Sequence, residues 1–411
     1  KNRPDFFFPL LEKIVFNDKV SPDYLTNGIS GLIKALYDID KVNKLIVKQI
    51  KYKLNDENVL YTIWNVEYII KNKGINKPIF DFLCHQALNN VSPKKDTIKN
   101  PMQLSINSVR GAAIDKIMRL QDKRYGNRIF DVLKTTILKE KKYAIKATII
   151  HNSAYLQFYN KVKAFNLFMD IIKIDKRLIN ESFWSANYFA NSFFSEMDDY
   201  IELAMKNKNT YKVFANFLAI SWLKGFDSSE KYLFNLLKKA TEARSEVIRI
   251  AIHPKNLINK DKTLNQKCAK LFNYLLHSKD EKVIQQYSVA FLHFDAEVFQ
   301  IIFPVLKNYS ISNVFISSPA YFCKYIVKSC RKETVHKCFE LISNFDKFKK
   351  SDIARSNYYD NEPINAILSI YNTLSKSDYK LKSDCMDMFD KMLQQPQHRD
   401  AAYKATELAE I

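Results

Sequence analysis

Six alanines recur along the chain, each inside an apolar run with helical spacing. They are Ala113, Ala147, Ala186, Ala219, Ala251 and Ala290, separated by 34, 39, 33, 32 and 39 residues. A period in the thirties carried only by helical patterning marks stacked helix pairs, because each pair presents an apolar face that only its neighbours can bury. A small side chain at the tight spot of each pair lets the next helix approach closely. The expected fold class is all-α, a HEAT/TPR-like α-solenoid of stacked antiparallel helix pairs, about ten to twelve of them.

The rest of the composition agrees with helices. Only 6 glycines and 11 prolines occur in 411 residues, so tight β-turns are scarce, and 47% hydrophobic residues suffice for a continuous core. No convincing strand pattern appears; short apolar stretches such as Val314 to Ile316 are ambiguous by periodicity alone. Residues 1–100 are helical but less regular, residues 101–395 carry the repeat, and residues 396–411 form a tail. In the first part, Tyr24 to Tyr37 reads as one helix and Asn58 to Lys71 as another, the latter with Leu60, Ile63, Trp64, Tyr68 and Ile69 inward. Asn89 to Pro101 is polar, holds two prolines and the lysines Lys94, Lys95 and Lys99, and reads as a loop open to nicking. The first residues, Lys1-Asn2-Arg3-Pro4-Asp5, lack an initiator Met and a signal-peptide pattern, and they read as the start of an excised piece of a longer protein.

Charge and cysteine usage narrow the setting. Net charge is +20, from 64 basic and 44 acidic residues. That balance fits a nucleic-acid or acidic-protein partner. It also fits the Lys-, Asn- and Ile-rich composition of an AT-rich genome. The clusters Lys139, Lys141, Lys142, then Lys206, Lys208, then Lys347, Lys349, Lys350 are the candidate basic contacts. Six cysteines without a C-x2-C pair read as small core residues in a cytoplasmic protein, with no metal site. No apolar run is long enough to cross a bilayer, so no membrane partner is expected.

Known chemistry is missing from the pattern. No phosphate-cradling glycine loop, nucleophile elbow or H-E-x-x-H occurs, and the seven histidines are scattered. The 13% aromatic content, at helical spacing, reads as core rather than as a stacking platform. No catalytic residue and no cofactor are expected for this stretch of chain.

Two segments carry a resemblance. Ile106-Asn107-Ser108-Val109-Arg110-Gly111-Ala112-Ala113-Ile114 resembles an I-N-S-V-R-G-x-A-hydrophobic stretch, and Cys385-Met386-Asp387-Met388-Phe389-Asp390-Lys391-Met392-Leu393 resembles an L-D-L-F-D-x-M-L stretch. In this order, with helical repeats between them, they resemble the C-terminal helical region of bacterial STAND (NACHT-like) NTPases, many of which act in anti-phage defence. The resemblance covers roughly residues 100 to 395. It implies an N-terminal effector, a central NTPase that would take ATP and Mg, and a C-terminal repeat array that senses a foreign protein and triggers oligomerisation. Neither the effector nor the NTPase lies in these 411 residues.

Asn107, Arg110, Gly111, Asp387 and Asp390 mark the family and are read as structural. Gly111 and Ala112 would admit a close helix, and Arg110 would reach carbonyls or acids of the adjacent repeat. In the second segment Met386, Phe389, Met392 and Leu393 are expected inward, with Asp387 and Asp390 outward. The leading expectation is a ligand-sensing array that binds a phage protein. A HEAT-like nucleic-acid module, resting on the lysine clusters, and a scaffold for a cellular complex are the alternatives.

Overall fold

The computed structural model describes residues 39–51, 56–71, 75–251, 261–276, 280–312, 319–344 and 362–394, with a few isolated positions besides. All its regular elements among the described residues are helices. The expected helix at 24–37, the ambiguous stretch at 314–316, the lysines at 347, 349 and 350, and the tail at 396–411 lie outside the described residues.

The chain divides into two compact units, Lys1–Thr210 and Tyr211–Ile411. The first holds α1 (Ile39–Lys51), α2 (Asp56–Lys71), α3 (Lys77–Asn89), α4 (Pro101–Ile106), α5 (Val109–Arg119), α6 (Gly126–Lys139), α7 (Tyr143–Asn152), α8 (Lys161–Ile174), α9 (Phe183–Phe193) and α10 (Asp198–Lys206). The second holds α11 (Tyr211–Leu223), α12 (Ser229–Lys239), α13 (Thr241–Ala251), α14 (Lys262–Leu275), α15 (Glu281–Ala290), α16 (Phe299–Ser310), α17 (Ala320–Ser329), α18 (Val335–Ser343), α19 (Glu362–Thr373) and α20 (Tyr379–Leu393). The division falls at 210, whereas the loss of regular pattern in the sequence falls near 100. Helices α2 and α3 pack directly on α5, so the less regular stretch belongs to the same body as the repeats that follow it.

Within each unit the helices stack on the next but one. In the first, α3 meets α5, α5 meets α7 and α7 meets α9. In the second, α11, α13, α15, α17 and α19 form one such row and α14, α16 and α18 another. The six periodic alanines sit on α5, α7, α9, α11, α13 and α15, and each is buried. Four side-chain hydrogen bonds span one and the same separation. Tyr143 bonds to Arg177, Ser185 to His151, Lys328 to Phe294 and Asn344 to Ser310, each across 34 residues. Contacts between successive helices are therefore polar as well as apolar.

Several local expectations shift. The aromatic stretch at 180–194 divides into a 3-10 turn over Lys176–Glu181 and the helix α9, with the Ser182 hydroxyl donating to the Ile179 carbonyl at the break. The inward face of α20 is Cys385, Met388, Phe389 and Met392, an i, i+3, i+4, i+7 set. Met386 is exposed instead, while Asp387 and Asp390 face outward as expected.

The 90–100 loop is anchored at several points. Lys142 Nζ donates to the Val91 carbonyl at 2.7 Å and also to that of Pro93. Ser92 Oγ accepts from Val109 N, and the Asp96 carboxylate accepts from Tyr143 N (2.7 Å) and Ala144 N (3.1 Å). Asp96 thus caps the N-terminus of α7 from 47 residues upstream, satisfying donors that a helix start leaves free.

Candidate interaction surface

The first resembling segment builds a junction at the start of α5. Ser108 is its N-cap and accepts from Gly111 N at 3.2 Å. A Cβ at Gly111 would lie 2.1 Å from Ser105 Oγ and 2.2 Å from the Ser105 carbonyl oxygen, so only glycine admits the end of α4 here. Arg110 Nε donates to the Ala87 carbonyl at 2.9 Å, and its guanidinium pairs with Glu140 at 3.0 Å. One side chain therefore ties α5 to the end of α3 and to the residue following α6. Asn107 is exposed and caps the C-terminus of α4 through its backbone.

The aromatic residues of the first unit do more than fill its core. Phe183, Ala186 and Phe189 of α9 are buried, yet Trp184 is only half-buried and Tyr188 is 49% exposed. Trp184 lies 4.8 Å from Tyr188, 5.1 Å from Tyr155 and 5.4 Å from His151, ring centroid to centroid, with the imidazole nearly parallel to the indole at 17°. Arg119 stands over Tyr155 at 5.9 Å and pairs with Glu67 of α2 at 3.2 Å. On α2, Trp64 is 37% exposed, against the expectation that it points inward, and its indole N–H donates to the Ile106 carbonyl. A row of half-open side chains therefore runs from α2 over α5 and the 3-10 turn Ser153–Phe158 to α9.

A buried polar network holds this row in place. Asp115 accepts from Lys116 Nζ and from Asn152 Nδ2, each at 3.0 Å, and Lys116 also reaches Glu67 at 2.6 Å. The acids and bases on this face neutralise one another. Burial pushes the His151 pKa below its ordinary value, so the ring stacked on Trp184 is neutral at pH 7. The result is an open, pre-set and nearly uncharged surface of Trp, Tyr and Arg.

The sequence-predicted lysines are placed differently. Lys139 and Lys141 are exposed, whereas Lys142 is committed to the 90–100 loop. Lys208 is exposed. Lys206 pairs with Glu202 at 3.6 Å and lines a cleft of about 270 Å³ with Lys173, Lys176, Asp199 and Tyr200. In the second unit an open groove of about 770 Å³ lies between α12 and α14, with Phe234, Tyr274, Lys231, Lys238 and Lys270 among its walls. Lys270 pairs there with Glu230 and stands 5.7 Å over Phe234. The lysines of both clefts are thus interleaved with acids rather than set in single-sign stripes. No group of His, Cys, Asp and Glu suited to a metal occurs among the described residues, and no single described helix is long and apolar enough to cross a membrane. Neither a protein-family model nor a curated protein matches this chain.

The aromatic row escaped the sequence reading because aromatic residues at helical spacing read as core. A second stripe at i, i+4 (Trp184, Tyr188) beside the inward one was the available signal.

Proposed function

We propose that this chain is the ligand-sensing helical-repeat region of a STAND-type NTPase acting in anti-phage defence in the cytoplasm. Each unit is read as a stretch of α-solenoid whose open face recognises a foreign protein. The observation that carries the reading is the Arg119–Tyr155–Trp184–Tyr188 row, joined by ring contacts of 4.8 to 5.9 Å. Trp, Tyr and Arg are the side chains that dominate protein–protein binding energy, and here they are exposed yet already ordered. The segments at 106–114 and 385–393 add the family resemblance.

The mechanism is a population shift. A ligand that binds the open state of the whole protein better than the closed one releases the NTPase, which uses ATP and Mg, and allows oligomerisation. Moving from mostly closed to mostly open takes ~5.5 kcal/mol of differential binding, within reach of a protein–protein interface of ordinary size.

The test is capture by this chain from phage-infected and uninfected lysates, nuclease-treated and at ~150 mM salt, a concentration at which purely electrostatic contacts are weakened. A phage protein enriched only after infection supports the proposal. A host protein recovered equally from both lysates favours a scaffold, and nucleic acid recovered without nuclease, with no protein, favours a nucleic-acid module.

A further inference from the structure

The groove between α12 and α14 carries positive charge that its own acids do not cancel. Its floor is aromatic. Phe234 of α12 meets Tyr274 of α14 edge to face at 4.8 Å and 77°, and the buried Trp222 of α11 meets Phe234 at 5.6 Å and 78°. Both acids of the groove are already engaged. Lys267 reaches Asp227 at 2.6 Å, and Lys270 pairs with Glu230 while standing 5.7 Å over the Phe234 ring. Lys231 and Lys238 line the α12 wall, both exposed, and neither has an ion-pair partner among the described residues. They lie seven residues apart on one helix, two turns or about 10 Å, with Phe234 and Asn235 between them.

The groove also offers side-chain amides. Asn273 Oδ1 accepts from Asn308 Nδ2 at 3.1 Å, which leaves the Asn273 N–H donors for another partner. Asn235 is exposed and makes no side-chain bond among the described residues. An amide both donates and accepts, so it can pair with a peptide group.

We infer that this groove is a docking site for an extended acidic peptide, with two carboxylates about three residues apart and an apolar side chain between them.

The groove belongs to the second unit, and its occupant does not depend on the sensing role proposed for the Trp184 row. An extended chain advances about 3.3 Å per residue, so three residues carry one carboxylate from Lys231 to Lys238. The side chain between them covers Phe234 and Tyr274 and removes apolar ring surface from water. Asn235 and Asn273 meet backbone groups that an extended segment leaves free. Nucleic acid fits this groove less well. Lys270 already covers the Phe234 ring on which a base would stack. No arginine lines the groove to grip phosphate bidentately. Asp227 and Glu230 oppose a chain charged at every unit, whereas a peptide places its charges only where the two lysines stand.

The test uses the whole chain and a bead library of short peptides randomised at every position, at ~50 mM salt, where surface charge is weakly screened. The expected selection is Asp or Glu at two positions three apart, with an apolar residue between. A double variant, Lys231→Ala with Lys238→Ala, should bind a selected peptide about tenfold more weakly, the order expected for two exposed ion pairs. Lys231→Glu with Lys238→Glu should turn the selection toward Lys and Arg, a reversal that mere loss of structure would not produce. Both positions are exposed, and circular dichroism checks that the helices are kept. Selection without acidic residues, or selected peptides bound equally by wild type and the alanine variant, would overturn the inference. Tighter binding of a thymidine oligonucleotide than of any selected peptide, lost in the same alanine variant, would assign the groove to nucleic acid and overturn it as well.

Discussion

Asp175 gathers four donors on one buried carboxylate. Lys146 Nζ at 2.7 Å and Arg177 Nη2 at 2.8 Å meet Oδ2, while Arg177 Nε at 2.9 Å and Arg177 N at 3.3 Å meet Oδ1. Bonding from Arg177 first, with Lys146 behind it, holds the Asp175 pKa well below the usual carboxylate range despite burial. Because the folded value lies below the unfolded value near 4, this bonding stabilises the fold fully above about pH 4, and the stabilisation is lost as pH falls further toward the folded value. Asp175→Asn leaves Lys146 buried without its charge partner. We expect a loss of about 3 kcal/mol in urea unfolding at pH 7, and a smaller further loss between pH 5 and pH 3 than wild type shows. Gly111 sets a second single-residue test. Gly111→Ala forces a methyl against the Ser105 backbone at 2.2 Å and should cost about 2 to 3 kcal/mol in the same assay. That glycine was legible in the sequence as a point of close approach. Asp175 was not, because a buried ion pair across 29 residues leaves no local pattern.

Elements were read well wherever one face alone is apolar, and less well where two faces compete. In α20, Met386, Phe389 and Leu393 form one helical stripe and Cys385, Met388, Phe389 and Met392 form another. Only packing against α19 selects the second. In α9 the same ambiguity hid Trp184 and Tyr188, the part of the candidate surface that α9 supplies. The 90–100 loop shows the opposite limit: its polarity predicts a loop correctly, but bonds to α5 and α7 that span many residues decide how it is held. Asp96→Ala should remove the cap of α7, destabilise the chain by about 1 kcal/mol, and make 90–100 the first site of limited proteolysis. An unchanged digestion pattern would show that the Asp96 cap does not hold the loop.

At the scale of the whole molecule, the all-helical class is what the sequence states most clearly. The six alanines are all buried on alternate helices, and four side-chain bonds each span 34 residues. Function is less legible, since a recognition surface needs only a few side chains left open on a helix row and no fixed spacing in the chain. The proposed recognition surface comprises Tyr155, Trp184 and Tyr188. Trp184→Ala removes the ring that touches three others, and at a binding hot spot such a truncation costs at least about 2 kcal/mol, or roughly thirtyfold in affinity. The fold should survive, because Trp184 is half open while Ala186 and Phe189 keep the core face of α9.

The most direct test of the sensing role runs capture from phage-infected and uninfected lysates with the wild-type chain and the Trp184→Ala chain side by side, with circular dichroism on both. The account predicts a phage protein retained by the wild type only after infection and lost by the variant at equal helicity. Retention of the same partners by both chains, or by the wild type from uninfected cells alone, would contradict it.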